Sequence, residues 1–268
     1  MFVKNFKLFL TVGLLIAPVS AYGQAIDEEP IEEIQATAIK PNNAEKPDLS
    51  RVAELIAQKT NDFRKDHDCP KVQIDPKLTK TAQYFADFMA KEDKYGHTAD
   101  GQRPADRAKK HGYDYCIVLE NIAYQYDLAG FKTEKLAQNF FNGWKNSPGH
   151  RKNMLDPDVT DTGVAIAYSE KTAHYYAVQM FGRPKSKAIE FKLTNQADVA
   201  IEYQIGDKTF SLQPRYTRTH QLCRPANLTV QFPEEKSESK SETKVLKPSS
   251  GDHLIVAEED GKYHIKKE

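Results

Sequence analysis

The sequence predicts an α+β protein built in two parts: helices with strands grouped mostly behind them, then a small all-β sandwich or barrel. Three observations carry this. Apolar residues recur at helical spacing through 49–64, 76–91 and 136–144. Strand-prone stretches occupy 115–123, 162–168 and 174–181. Beyond Gly182-Arg183-Pro184 the pattern becomes an alternation of apolar and polar residues broken by turn residues.

The 268 residues suffice for one large domain or two small ones. Basic and acidic residues balance at 38 each, so the basic excess of a dedicated nucleic-acid binder is absent and no nucleic-acid partner is expected. A hydrophobic content of 39%, with 13 Phe and 13 Tyr, supplies a core and excludes wholesale disorder. A mean hydropathy of −0.67 excludes a polytopic membrane protein.

Taken in order, Lys4 and Lys7 flank the start of an apolar run at 8–20 that is too short to span a bilayer comfortably. Small residues follow at Ala21, Gly23 and Ala25. Residues 1–25 therefore read as a secretory signal, cut after Gly23 or Ala25. The mature protein is expected to be secreted or periplasmic, with no transmembrane anchor after cleavage. Residues 26–48 carry Asp27, Glu28, Glu29, Glu32, Glu33, Glu45 and Asp48 against Lys40 and Lys46, without apolar periodicity, and read as a flexible acidic tether.

The first folded region is expected over 49–184. Val52, Leu55, Ile56 and Phe63 mark one face of its first helix. Asp75-Pro76 has the form of an N-cap followed by proline at the first helical position. Leu78, Ala82, Phe85 and Met89 continue that helix to about Lys91. Leu136, Phe140, Phe141 and Trp144 make a third amphipathic run, and Ser147-Pro148 opens a short helix with His150 in its first turn. The second region, 185–268, is expected to be a small β domain with a charged, disordered insertion at 234–250 and a terminal hairpin turning at Asp260-Gly261. Three cysteines, Cys69, Cys116 and Cys223, in an oxidising destination leave one thiol over. Cys69–Cys116 is the expected disulfide, because both fall in the first region.

Chemistry concentrates in four segments: Gly96-His97-Thr98 with Asp100-Gly101 and Arg107 shortly after, Leu119-Glu120-Asn121-Ile122-Ala123, the run from Trp144 to Leu155, and Tyr176 to Gly182. Glu120 is the most informative, since a carboxylate inside an apolar strand needs a partner, with His or Arg the expected type. Tyr95-Gly96-His97-Thr98 with Arg107 and Gly112-Tyr113, Glu120-Asn121-Ile122-Ala123, Trp144 to Leu155 and Gln179 to Gly182 together resemble the CAP superfamily of cysteine-rich secretory, antigen five and pathogenesis-related proteins, in its bacterial secreted branch. The likeness spans about residues 50–183.

The resemblance implies an α-β-α sandwich with a central cleft. It also implies a cleft tetrad of two His and two Glu, of which His97 and Glu120 are present; the other two positions carry Ser147 and Tyr176. The bacterial-type motif offers His150 in their place. The candidate cleft is thus His97, Glu120, Ser147, His150 and Tyr176. Arg107 and Arg151 are expected to pair with carboxylates or carbonyls, Asn121 and Gln179 to satisfy buried backbone groups, and Trp144 to pack beneath the cleft. No cofactor is required, with zinc on His97, Glu120 and His150 as the alternative, and Ser147 is weighed as a nucleophile against a role as helix N-cap. The expected function is a binding module for a lipid, glycan, peptide or protein ligand, ahead of a metal-dependent hydrolase, protease or cell-wall-active.

Overall fold

A computed structural model of the chain describes residues 30–35, 46–127, 129–232 and 243–268. The expected signal at 1–25 lies outside the described residues, as do 26–29 and 36–45 of the expected tether and 234–242 of the expected insertion.

The acidic stretch is more than a tether. Glu32–Glu33 form a short strand, β1, antiparallel to β3 (Lys94–Tyr95). The Ile34 amide donates to the Asp93 carbonyl at 2.8 Å, and Ile34 packs against the core that includes Leu78, Phe85 and Met89. The acidic composition of the stretch masked this seat for a single apolar side chain.

Helix α1 (Leu49–Lys65) begins at the Asp48 cap, whose carboxylate accepts from the Arg51 amide. Strand β2 (Gln73–Ile74) leads to helix α2 (Pro76–Glu92). Asp75 caps α2 through the Lys77 and Leu78 amides, as expected, and proline fills the position whose amide would have no helical partner. After α3 (Pro104–Lys110) come β4 (Tyr115–Gln125), α4 (Thr133–Asn146), α5 (Pro148–Met154), β5 (Asp161–Tyr168) and β6 (Tyr175–Pro184). The sheet runs β2-β5-β6-β4, antiparallel except for β2 against β5, with β4 at an edge.

Alternation along β5 sorts the layers. Val164 and Ile166 join a core with Val52 and Ile56 of α1 and Leu136, Phe140 and Trp144 of α4. Ala165 and Ala167 face the other way, toward Leu78, Phe85 and Met89 of α2. That face is small-residued because α2 lies almost on the strand: a Cβ at Gly163 would sit 2.2 Å from the Thr79 backbone nitrogen. The result is the expected α-β-α arrangement.

The C-terminal region is β throughout, in two four-stranded sheets. One contains β7 (Ile189–Asn195), β10 (Thr217–Leu222), β13 (His253–Glu259) and β14 (Lys262–Lys267); the other contains β8 (Ile201–Ile205), β9 (Lys208–Leu212), β11 (Leu228–Gln231) and β12 (Thr243–Leu246). Phe191, Leu193, Tyr203, Leu228, Val230 and Val256 from both sheets share one core. The final hairpin turns at Asp260 and Gly261, both at positive φ, as a two-residue loop requires. Part of the expected disordered insertion is ordered, since β12 pairs along β11.

The cysteine pairing differs from expectation. Cys116 bonds Cys223 across the two regions, and Cys69 is the free thiol. The reason is a bulge: Tyr115 pairs with Pro184 and Ile117 with Arg183, leaving Cys116 as the extra residue. Cys116 and Ile117 therefore both lie on the α1/α4 side while Tyr115 lies on the other. Cys69 sits in the turn after α1, its amide held by the Arg64 carbonyl and its thiol directed at the Leu155 carbonyl, 3.3 Å away.

Two outcomes follow. Gly163→Ala should cost about 3 kcal/mol or more in chemical denaturation, because a methyl there must displace helix backbone, whereas Gly143→Ala on the open face of α4 should stabilise by about 0.5–1 kcal/mol. Alkylation of denatured, unreduced protein should label Cys69 alone; label on Cys116 or Cys223 would contradict the pairing.

Candidate functional site: a polar cleft on the edge strand

Strand β4 has a neighbour on one side only, so alternate backbone groups point away from the sheet. These carbonyls are taken by side chains. Asn153 of α5 donates to the Glu120 carbonyl at 3.1 Å, while Trp144 of α4 and the Tyr95 hydroxyl donate to that of Ile122 at 3.0 and 3.1 Å. The caps tie helices to the strand edge and block pairing with another strand there.

Along this edge lies a cleft of about 590 Å³, lined by His97, Leu119, Glu120, Ser147, Gly149, His150, Lys152, Asn153, Asp156 and Arg224. Glu120 anchors one wall. Its side chain points to the α2/α3 side, like those of Val118 and Ile122, and is almost fully buried. Arg107 of α3 donates to both carboxylate oxygens, at 3.0 and 2.7 Å, and His97 Nδ1 meets Oε1 at 2.8 Å. Arg107 also binds Asp100 at 2.7 Å and the carbonyls of His97 and Gln102, with its guanidinium 3.5 Å from the centre of the Phe85 ring. A carboxylate only accepts, so His97 Nδ1 carries the proton of that contact and Nε2 is the ring's other nitrogen.

The opposite wall comes from α5. Asn121, facing opposite to Glu120, donates to the His150 carbonyl and accepts from Asn153. Ser147 holds the N-cap position of α5, its carbonyl accepting from the Arg151 amide, but its hydroxyl makes no capping bond. The third side is Arg224. Its guanidinium spans Asp156, at 2.9 and 2.7 Å, and Asp158, at 2.9 Å. Burial pushes the Asp156 carboxyl up, but the bonds from Arg224 and the Asp158 amide outweigh it and hold the group below its ordinary range. The Asp156 and Asp158 carboxylates in turn raise Arg224.

His97, Glu120, Ser147 and His150 line one cleft. Tyr176 does not. It is fully buried in the α2 layer, where its hydroxyl donates to Asp93 at 3.2 Å. It shares the face of Glu120, but it lies on the inner strand β6 opposite Tyr124, among Val178 and Met180 where α2 covers the sheet. Arg107 pairs with the Glu120 and Asp100 carboxylates, and Asn121 donates to the His150 carbonyl. Arg151 instead lies over the Phe63 ring and donates to His67 Nε2 at 2.9 Å, and Gln179 donates to the Thr60 hydroxyl rather than to backbone.

The donor set does not fit zinc. Both Glu120 oxygens already accept from a guanidinium, whose positive charge opposes a cation at the same atoms, and His97 Nδ1 is spent on that carboxylate. Among the described residues no group of three His, Cys, Asp or Glu is arranged to hold a metal. Sequence reasoning gave no role to Asp100, Asn153, Asp156 or Arg224. Asp100 and Asn153 stood inside quoted segments, and Arg224 had one sequence signal, its place beside a cysteine.

Residues 57–181 match the family model for CAP, the cysteine-rich secretory protein family. The Bacillus subtilis protein YkwD is 30% identical over 148 residues, 54% of this chain and 54% of that protein. The chain thus spans about half of that relative. Among solved structures, an outer surface protein of Borrelia burgdorferi is 22% identical, covering 53% of this chain and 99% of that one with a TM-score of 0.46. An extracellular SCP-domain protein of Bacillus anthracis is 26% identical, covering 50% and 41% with a TM-score of 0.43.

Arg107→Met should cost about 3–5 kcal/mol in denaturation, because it leaves the carboxylates of Glu120 and Asp100 buried without their counter-charge. Asp156 is expected to contribute stability fully above about pH 5, where the unfolded group is ionised, and to lose it as pH falls through its depressed folded value. The melting temperature of wild type should therefore drop more on acidification than that of Arg224→Gln; parallel curves would show that the pair adds nothing.

Proposed function

The chain belongs, through residues 57–181, to the CAP family of cysteine-rich secretory proteins, and from that premise we propose a secreted or periplasmic binding module whose cleft takes a polar ligand, a glycan or a peptide. What carries this reading is the saturation of Glu120: its oxygens are engaged by Arg107 and His97 within the protein, so it serves as a fixed wall and not as a free proton acceptor or metal ligand. The lining supports a polar ligand over an acyl chain, since Leu119 is the large aliphatic side chain beside His97, Glu120, Ser147, His150, Lys152 and Asn153. A disulfide supports an oxidising compartment.

One observation favours a second reading, a hydrolase. A histidine held at Nδ1 by a buried carboxylate presents Nε2 as a general base, and Ser147 lines the same cleft.

The test is a panel of soluble peptidoglycan fragments, peptides and phospholipid vesicles, with the chain lacking residues 1–25, read by calorimetry and by product analysis. Binding of a glycan or peptide, weakened about tenfold in His97→Ala and His150→Ala as for loss of a charge-assisted or buried hydrogen bond, is the expected result. Binding of vesicles alone would overturn the polar-ligand reading. Product formation that His97→Ala abolishes would establish the hydrolase.

A further inference from the structure

We propose that Arg224 of the C-terminal β region is a positioning and specificity-determining residue of the cleft, so that ligand choice belongs to both regions jointly. The proposal deepens the binding reading above and rests on it for the ligand, but its structural half stands alone.

Two independent ties bring the β region to the cleft. The Cys116–Cys223 bond fastens the segment after β10 to the bulge of β4, four residues before Glu120. Next to it, Arg224 crosses to the loop after α5 and makes three bonds to Asp156 and Asp158. The geometry is a planar guanidinium set against both oxygens of Asp156, the arrangement in which Arg fixes orientation as well as charge. Asp156 is largely covered, its side chain 12% exposed, while Arg224 remains 43% exposed, and both line the cleft. Arg224 therefore presents one side to Asp156 and another to solvent.

The loop so held has its second anchor on the CAP side. Arg64, fully buried, donates to the carbonyls of Met154 and Asp156 at 2.7 and 2.9 Å. Arg64 sets the loop's inner face and Arg224 its outer face. Without Arg224, Asp156 and Asp158 lose their counter-charge at the cleft mouth, and the wall they form is released on that side. The charge, width and stiffness of this end of the site thus depend on a residue outside the α-β-α region. A ligand that passes between the α5 wall and Arg224 must match the guanidinium's spare donors, which selects for polar acceptors such as glycan hydroxyls or peptide carbonyls.

The test uses the chain lacking residues 1–25, in four forms: wild type, Arg224→Gln, Arg224→Lys, and Cys116→Ser with Cys223→Ser. Diethyl pyrocarbonate is the probe, and mass spectrometry reads the rates at His97 and His150 against His111, which lies at the end of α3 outside the cleft lining. Arg224→Gln is expected to raise the cleft histidine rates about tenfold over His111, the factor for loss of a charge-assisted contact holding the wall. Arg224→Lys should restore part of the protection, which a merely volumetric role would not. The double cysteine variant should match or exceed Arg224→Gln; if it fails to fold, the two Arg224 variants decide alone. Unchanged ratios in Arg224→Gln would overturn the proposal. With a glycan or peptide probe that binds wild type, Arg224→Gln should alter the ranking among probes and not only weaken all of them equally. Equal weakening would remove the specificity role. Should no polar probe bind wild type, the binding reading fails while the modification rates still decide whether Arg224 walls the cleft.

Discussion

A guanidinium buried between two carboxylates governs this molecule's site. Arg107 lies wholly out of solvent, holds Glu120 and Asp100 in charge-assisted bonds, and stacks on Phe85. Isolated burial of any of these groups is prohibitive, so each is stable only in the presence of the others. The consequence reaches well beyond the three residues. Arg107 also fixes the carbonyls of His97 and Gln102, so the loop between β3 and α3 takes its shape from the same cation. His97 is then delivered to Glu120, and one wall of the cleft is complete.

The cleft exists because β4 is an edge. A central strand would spend all its backbone groups on neighbours, whereas this one offers carbonyls outward. Trp144, Asn153 and Tyr95 occupy them, which draws α4, α5 and the β3 segment against the strand and leaves the space between them as the site. Alternation assigns roles along the same few residues: Glu120 turns to the α3 side, Asn121 to the α5 side, Ile122 back into the α2 core. Tyr176 shares Glu120's face but sits on the inner strand beneath α2, opposite Tyr124, and so stays out of the cleft.

The bulge at Cys116 has a separate consequence. One extra residue breaks the alternation at the start of β4 and re-aims a cysteine toward the C-terminal region. With Arg224 beside the partner cysteine, a β region with its own core becomes part of the cleft's rim. The fold of each region is local, while the site is shared.

By itself, the sequence determined what depends on local periodicity and on side-chain chemistry. The three amphipathic helices, the Asp75-Pro76 start, three of the four strands of the central sheet and the terminal hairpin follow from spacing and turn residues, and the appearance of Glu120 inside an apolar strand announced a buried ion pair before its partner was known. His97, Glu120, Ser147 and His150 were legible as a site because their motifs recur together in a family. Tertiary structure alone decided what depends on distance across the chain. Which cysteines meet turned on a one-residue bulge, which no composition signals. Whether Tyr176 reached the cleft turned on where α2 packs over β6. That Arg224 closes the rim turned on how two regions far apart in sequence come to lie together, because ionic and covalent ties form wherever packing brings their atoms within reach, and packing is a property of the whole fold.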